Sequence, residues 1–242
     1  MNEHLLIVAV FAVAFVYAMV GHGGASGYLA LLAFAGTAPA VMKPTALVLN
    51  LCVSLISFAQ FQRAGHFRWR MFWPFAIASV PCAFITTRFH IADALYMRLL
   101  AACIVVAALR LLGVFRTRER EQADTPVPIA LAIGGAIGAL SGLLGIGGGV
   151  LLSPVLLVFG WADAKTAAAT SALFIFVNSA AGLLNMTPMQ QVPSSDLYIW
   201  TCAAVCGGLL GSWVGARKAP EPRLRQALGI VLLVASIKLF WP

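Results

Sequence analysis

The chain has 242 residues, of which 61% are hydrophobic and only 10% are charged, and its mean hydropathy is +0.93. A soluble chain of this length cannot bury so much apolar surface, so the composition excludes a soluble domain and predicts an integral membrane protein. The net charge of +8 does not indicate a nucleic-acid partner, because the Lys and Arg residues fall in short loops between apolar runs.

Ten apolar segments follow one another along the chain. They lie at roughly 5–20, 25–36, 44–62, 71–88, 95–114, 127–143, 149–160, 166–186, 197–216 and 224–241. Most approach the ~20 residues that a helix needs to cross the hydrocarbon core, and none shows the ~10-residue alternation of a membrane barrel. The sequence therefore predicts an all-α integral membrane protein.

The ten segments divide five and five around one polar linker. We therefore expect a first membrane repeat over residues 1–115, a cytoplasmic linker over 116–126 and a second membrane repeat over 127–242. The Arg-rich loops are expected on the cytoplasmic side. Five crossings in each repeat then give the two repeats opposite orientations, which is a common plan of secondary carriers. The alternative is that each short segment returns to the side it came from, which gives fewer full spans and the same orientations.

A glycine-broken segment occurs in each half, 124 residues apart. The first is Gly21-His22-Gly23-Gly24 before segment 25–36, and the second is Gly145-Ile146-Gly147-Gly148-Gly149 at the start of segment 149–160. About 12 residues at ~1.5 Å each span little more than half of the hydrocarbon core, so each segment is predicted to be a half-helix. Glycine-broken helices in corresponding positions of two halves indicate a transporter's substrate site, and both turns are expected to face inward.

The start of each half-helix offers the chemistry of an anion site. Backbone N–H groups without an intrahelical partner point into the turn with the positive end of the helix dipole, and glycine lets an oxyanion approach the backbone. Such neutral donors hold an anion loosely enough for it to leave. The other residues expected to bind the substrate are polar: Ser26, Asn50, Ser54, Thr170, Ser171, Asn178 and Ser179. The alternative for each is a bond that only joins neighbouring helices, worth about 0.6 kcal/mol.

His22 is the histidine within a glycine turn. It is predicted either to bind the anion or to carry a proton, and the alternatives are that it caps the half-helix or reaches an interface. No Asp or Glu lies in the middle of a segment, so proton-coupled transport would use His22 or the substrate itself. The five cysteines lie in apolar segments, where Cys is usually a packing residue, and we assign no disulfide, metal or cofactor.

A glycine-rich run and several polar motifs follow in order in the second half: residues 138–149, Ser153-Pro154, residues 169–171 and Asn178-Ser179. Together they resemble the TauE/SafE family of sulfite exporters, also called TSUP permeases. The first half, with its glycine turn, Asn50 and Ser54, resembles a more diverged copy of the same pattern. The resemblance implies an inverted-repeat permease of the inner membrane for sulfite, organosulfonates or related small anions, acting as an exporter or an importer.

Two other functions stay open. Gly24-Ala25-Ser26-Gly27 looks like the nucleophile motif of rhomboid intramembrane serine proteases, but no later segment supplies a histidine to activate Ser26. An anion channel could use the same half-helix ends, and the sequence does not separate a channel from an alternating-access carrier. The sequence therefore predicts a transporter of a small sulfur-containing anion, as a monomer or homodimer in the bilayer, and not an enzyme.

Overall fold

The computed structural model describes residues 3–114, 125–186 and 194–218, together with the helical residues 226, 229–230, 232–234 and 236–237. The described residues form helices joined by short connections, and they contain no strand. The helices are α1 (Glu3–Met19), α2 (Ala25–Phe34), α3 (Pro39–Arg63), α4 (Trp69–Thr86), α5 (Asp93–Leu111), α6 (Val127–Leu144), α7 (Gly149–Val158), α8 (Ala164–Leu184) and α9 (Ser194–Arg217). The predicted all-α class is confirmed. Most of the predicted linker and much of the tenth segment lie outside the described residues.

The lengths of the helices fit a membrane protein. Among the described helices, α3, α5, α6, α8 and α9 are long and apolar enough to cross a bilayer. The half-helices α2 and α7 have ten residues each, which at ~1.5 Å per residue is about half of the ~30 Å hydrocarbon core. Large apolar side chains such as Val8, Ile77 and Leu184 are exposed on the outside of the bundle, where a bilayer would cover them. The chain is a multi-pass membrane protein.

Two close helix pairs are built on glycines at every fourth position. These glycines are Gly134, Gly138 and Gly142 on α6, and Gly207, Gly211 and Gly215 on α9. The first three lie against the backbone of α4 and the other three against the backbone of α1: a Cβ at Gly138 would lie 2.6 Å from Ser79 Cα, and one at Gly211 would lie 2.9 Å from Phe15 Cα. Any side chain would therefore separate the paired helices, as in other small-residue contacts of membrane helices.

The helix contacts correspond between the two halves. The most extensive contacts join α4 to α6 and α1 to α9, so the fourth helix of each half packs on the first helix of the other. The third helices, α3 and α8, pack on each other, and they also carry the half-helices α2 and α7. Exchanging the halves thus reproduces these contacts, as expected of two related repeats. Their opposite orientation stays a prediction.

Candidate functional site

The two glycine turns have matching backbones. Gly21 follows α1 with a φ of 75°, and Gly145 follows α6 with a φ of 76°. Gly24 and Gly148 precede α2 and α7 with φ of 97° and 75°. Residues other than glycine rarely adopt a positive φ, so glycine is required at these positions. Both predicted segments are short helices that begin after the glycine turns, and their first N–H groups and positive dipole ends point into the turns. That each spans half of the membrane stays a prediction.

Asn50 on α3 joins the two turns. Its Oδ1 accepts a hydrogen bond from the backbone N–H of Ala25 at 3.2 Å, and its Nδ2 donates to Ser179 Oγ on α8 at 3.1 Å. A Cβ at Gly23 would overlap Asn50 Oδ1, and a Cβ at Gly147 would overlap Asn50 Nδ2. Both glycines therefore leave room for one buried amide, which lies against the first turn on one side and the second turn on the other.

His22 connects the first turn to the second half. Its Nε2 lies 2.6 Å from Ser153 Oγ and 3.2 Å from the Gly149 carbonyl oxygen, and Ser153 Oγ lies 2.9 Å from Ser171 Oγ. A carbonyl oxygen only accepts hydrogen bonds, so its proximity indicates that Nε2 carries a hydrogen. His22 is 2% exposed and does not extend out of the bundle. The result is a hydrogen-bonded chain from the first turn to α7 and α8.

The other predicted residues form bonds that are typical of helix packing. Asn178 Oδ1 accepts a hydrogen bond from Ser79 Oγ on α4 at 2.7 Å. Ser26 Oγ lies 2.8 Å from the Tyr17 hydroxyl, Ser54 Oγ donates to the carbonyl of Leu51 within α3, and Thr170 Oγ1 lies 3.8 Å from Met71 Sδ. The structure thus brings Asn50, Ser171, Ser179 and His22 to the glycine turns, and gives Ser54, Thr170 and Asn178 partners within or between helices.

The sequence prediction did not include Ser153, although this residue is the central member of the His22 chain. The signal was present, since Ser153 lies one helical turn after Gly149 on the half-helix.

Lysines at the start of the third helices have a structural partner. Lys43 Nζ donates to the Thr87 carbonyl at the end of α4, and Lys165 Nζ to the Ala216 carbonyl at the end of α9. A lysine at a helix C-terminus satisfies free carbonyls and the negative dipole end.

A membrane bundle in which two glycine-capped half-helices meet around a buried amide has the architecture of a membrane transport protein. The sequence model of the sulfite exporter TauE/SafE family matches residues 6–239, and the chain belongs to this family. The family predicted from the glycine motifs is confirmed.

Several curated proteins are similar to the chain. A probable membrane transporter protein of Sinorhizobium fredii is 37% identical over 243 residues, which are 98% of this chain and 97% of that protein. A probable membrane transporter protein of Xylella fastidiosa is 27% identical over 73% of this chain and 70% of its own length. Sulfite exporter TauE/SafE family protein 1 of Arabidopsis thaliana is 31% identical over 41% of this chain and 23% of its own length. No solved structure matches the chain. The chain is a membrane transporter of the TauE/SafE type.

Proposed function

We propose that the protein is a secondary permease of the inner membrane that moves a small sulfur-containing anion, such as sulfite or an organosulfonate, by alternating access. The observation that carries the proposal is the meeting of two half-helix N-termini at Asn50. The family name and the Arabidopsis relative's name both refer to sulfite export. An oxyanion of this kind fits a site made of backbone N–H groups at helix N-termini.

The described side chains that bond at the two turns are Asn, Ser and His, with no Lys or Arg among them, and this composition suits transport. The described polar groups at the meeting point are backbone N–H groups, the amide of Asn50, the imidazole of His22, and the hydroxyls of Ser153, Ser171 and Ser179. Removing a full cation from water costs several kcal/mol, and a buried cation would hold an anion tightly. Neutral donors and dipole ends attract the anion while letting it dissociate on the other side of the membrane.

The bonds between the halves favour a carrier over a channel. Asn50 of the first half bonds Ser179 of the second, and His22 of the first half bonds Ser153 of the second. All four residues are 2% exposed or less, so the turns are closed to both sides of the bundle. A rocking motion of one half against the other would break these bonds and expose the site, as alternating access requires.

A small cavity lies beside the second glycine turn. A cavity of about 120 Å³ is lined by residues of α3 and α5, among them Lys43 and Tyr96. The Lys43 stem packs against Gly145, and the Tyr96 hydroxyl donates to the carbonyl of Leu144 at 3.0 Å. Lys43 and Tyr96 thus separate the cavity from the turn.

The test is flux through purified protein in proteoliposomes. Labelled sulfite should enter saturably, and unlabelled sulfite preloaded inside should accelerate its entry, because a carrier returns faster when loaded. Acetate, which has no sulfur, should neither compete nor accelerate. Large single-channel currents, with no acceleration of sulfite entry by preloaded sulfite, would indicate a channel and contradict the carrier. Equal competition by acetate would contradict the sulfur-anion assignment.

A further inference from the structure

Tyr28 on α2 has a buried hydroxyl to which no described residue is bonded. The residue is 1% exposed, and no group among the described residues forms a hydrogen bond with its hydroxyl. The other buried tyrosines of the described chain are bonded: the Tyr17 hydroxyl lies 2.8 Å from Ser26 Oγ, and the Tyr96 hydroxyl donates to the Leu144 carbonyl at 3.0 Å. Buried polar groups almost always have a partner, so the hydroxyl of Tyr28 needs an explanation.

The position of this hydroxyl is the N-terminus of the first half-helix. Tyr28 lies four residues after Gly24, and side chains on a helix point back toward the preceding turn. A Cβ at Gly24 would lie 2.8 Å from Tyr28 Cζ and 2.9 Å from its hydroxyl oxygen. The absence of a side chain at Gly24 thus lets the phenol cover the start of α2. Ser26 and Gly27 N–H groups at this end have no intrahelical acceptor.

The second glycine turn has a comparable feature. Ser141 on α6 is 1% exposed, and its hydroxyl also has no hydrogen-bond partner among the described residues. Its Cβ lies 3.4 Å from the position that a Cβ would take at Gly148. Each glycine that precedes a half-helix is therefore bordered by one buried hydroxyl that bonds no described residue.

We infer that Tyr28 is a substrate-binding residue whose hydroxyl donates a hydrogen bond to the oxyanion held at the N-terminus of α2. This inference deepens the proposed function and rests on it. A phenol donates and has no positive charge, so it adds a directional bond to an anion without trapping it. The second half has Leu152 at the corresponding position, 124 residues later. The two half-sites therefore bind the anion differently, and the first one supplies the phenol.

The test compares two conservative variants, Tyr28→Phe and Tyr96→Phe, in detergent. The melting temperature is measured first without ligand and then during titration with sulfite, since a ligand that binds the folded state raises it. Tyr28→Phe removes an unbonded hydroxyl, so the protein without ligand should melt no lower than the wild type. Its apparent Kd for sulfite should rise about 10- to 100-fold, the usual effect of losing a hydrogen bond to a charged group.

Tyr96→Phe is the matched control because its hydroxyl is bonded to the protein. It should melt below the wild type and keep the wild-type Kd. The inference is overturned if Tyr28→Phe lowers the melting temperature or fails to fold, because its hydroxyl then has a structural partner. It is also overturned, with the proposed function intact, if wild type and Tyr28→Phe bind sulfite equally. Absence of sulfite binding to the wild type would contradict the proposed function and this inference together.

Discussion

Replacing Gly147 by alanine tests the meeting of the two turns at its narrowest point. Gly147 has a φ of 71°, and a Cβ there would overlap Asn50 Nδ2 and lie 3.0 Å from Ser179 Oγ. The substitution thus places a methyl group between the partners of the bond that joins the two halves. We expect Gly147→Ala to insert into the membrane but to lose anion uptake, because Asn50 can no longer hold both turns.

Two terms determine the loss of stability. A residue other than glycine in the left-handed region costs roughly 1–2 kcal/mol. Displacing the Asn50 amide leaves a buried donor without its acceptor, which costs about 1–3 kcal/mol more. The free energy of unfolding should therefore fall by about 2–5 kcal/mol in total.

Gly160→Ala separates the two terms. Gly160 has a φ of 69°, nearly that of Gly147, but no atom of the described residues lies within 4 Å of the position that its Cβ would take. Gly160→Ala therefore introduces the backbone strain without displacing a buried hydrogen-bonding group. At roughly 2–4 °C per kcal/mol for a chain of this size, Gly147→Ala should melt about 2–12 °C below Gly160→Ala.

The assay is thermal unfolding of both variants in the same detergent, followed by uptake into proteoliposomes. Gly160→Ala should retain uptake and Gly147→Ala should not. Equal melting temperatures together with normal uptake by Gly147→Ala would refute the assignment of Asn50 to both turns.

Four further variants have defined outcomes. Asn50→Asp keeps the acceptor for Ala25 N–H but adds a negative charge at the meeting point, so anion uptake should be lost by repulsion; normal uptake would place the substrate elsewhere. Gly134→Ala should be destabilised by about 1–3 kcal/mol, because its Cβ would lie 2.8 Å from Phe75 Cα on α4. The neighbouring Gly135→Ala, with nothing closer than 3.7 Å, should gain roughly 0.5–1 kcal/mol; chemical or thermal unfolding distinguishes the two. Asp163→Ala removes the carboxylate that caps α8 and should lower stability by about 1 kcal/mol without changing uptake.

The half-helices could be predicted because their signals are local. Gly21 and Gly145 mark the ends of α1 and α6, and Gly24 and Gly148 the starts of α2 and α7, where only glycine readily takes the required backbone. The glycines at every fourth position of α6 and α9 are an equally local signal, because this spacing places them on one face of a helix and indicates close packing against another helix. Their contact helices follow from tertiary packing, which the spacing does not specify.

The positions of the site residues depend on tertiary packing and could not be predicted from local sequence patterns. Asn50 could be named from its polarity within an apolar segment, but its place between the turns depends on how far α3 is rotated and shifted against α8. The same limit applies to Asn178, which is equally polar and pairs with Ser79 on α4 instead. Ser153 and Tyr28 were missed because a serine near a proline and a tyrosine in an apolar segment are common in membrane helices without any ligand.

Equilibrium binding of labelled sulfite to the purified protein tests most directly whether the two turns form one anion site. We predict saturable binding of about one sulfite per chain, insensitive to acetate, retained in Gly160→Ala and lost in Gly147→Ala. Full binding by Gly147→Ala, or displacement of sulfite by acetate at equal concentration, would contradict an anion site between the two glycine turns.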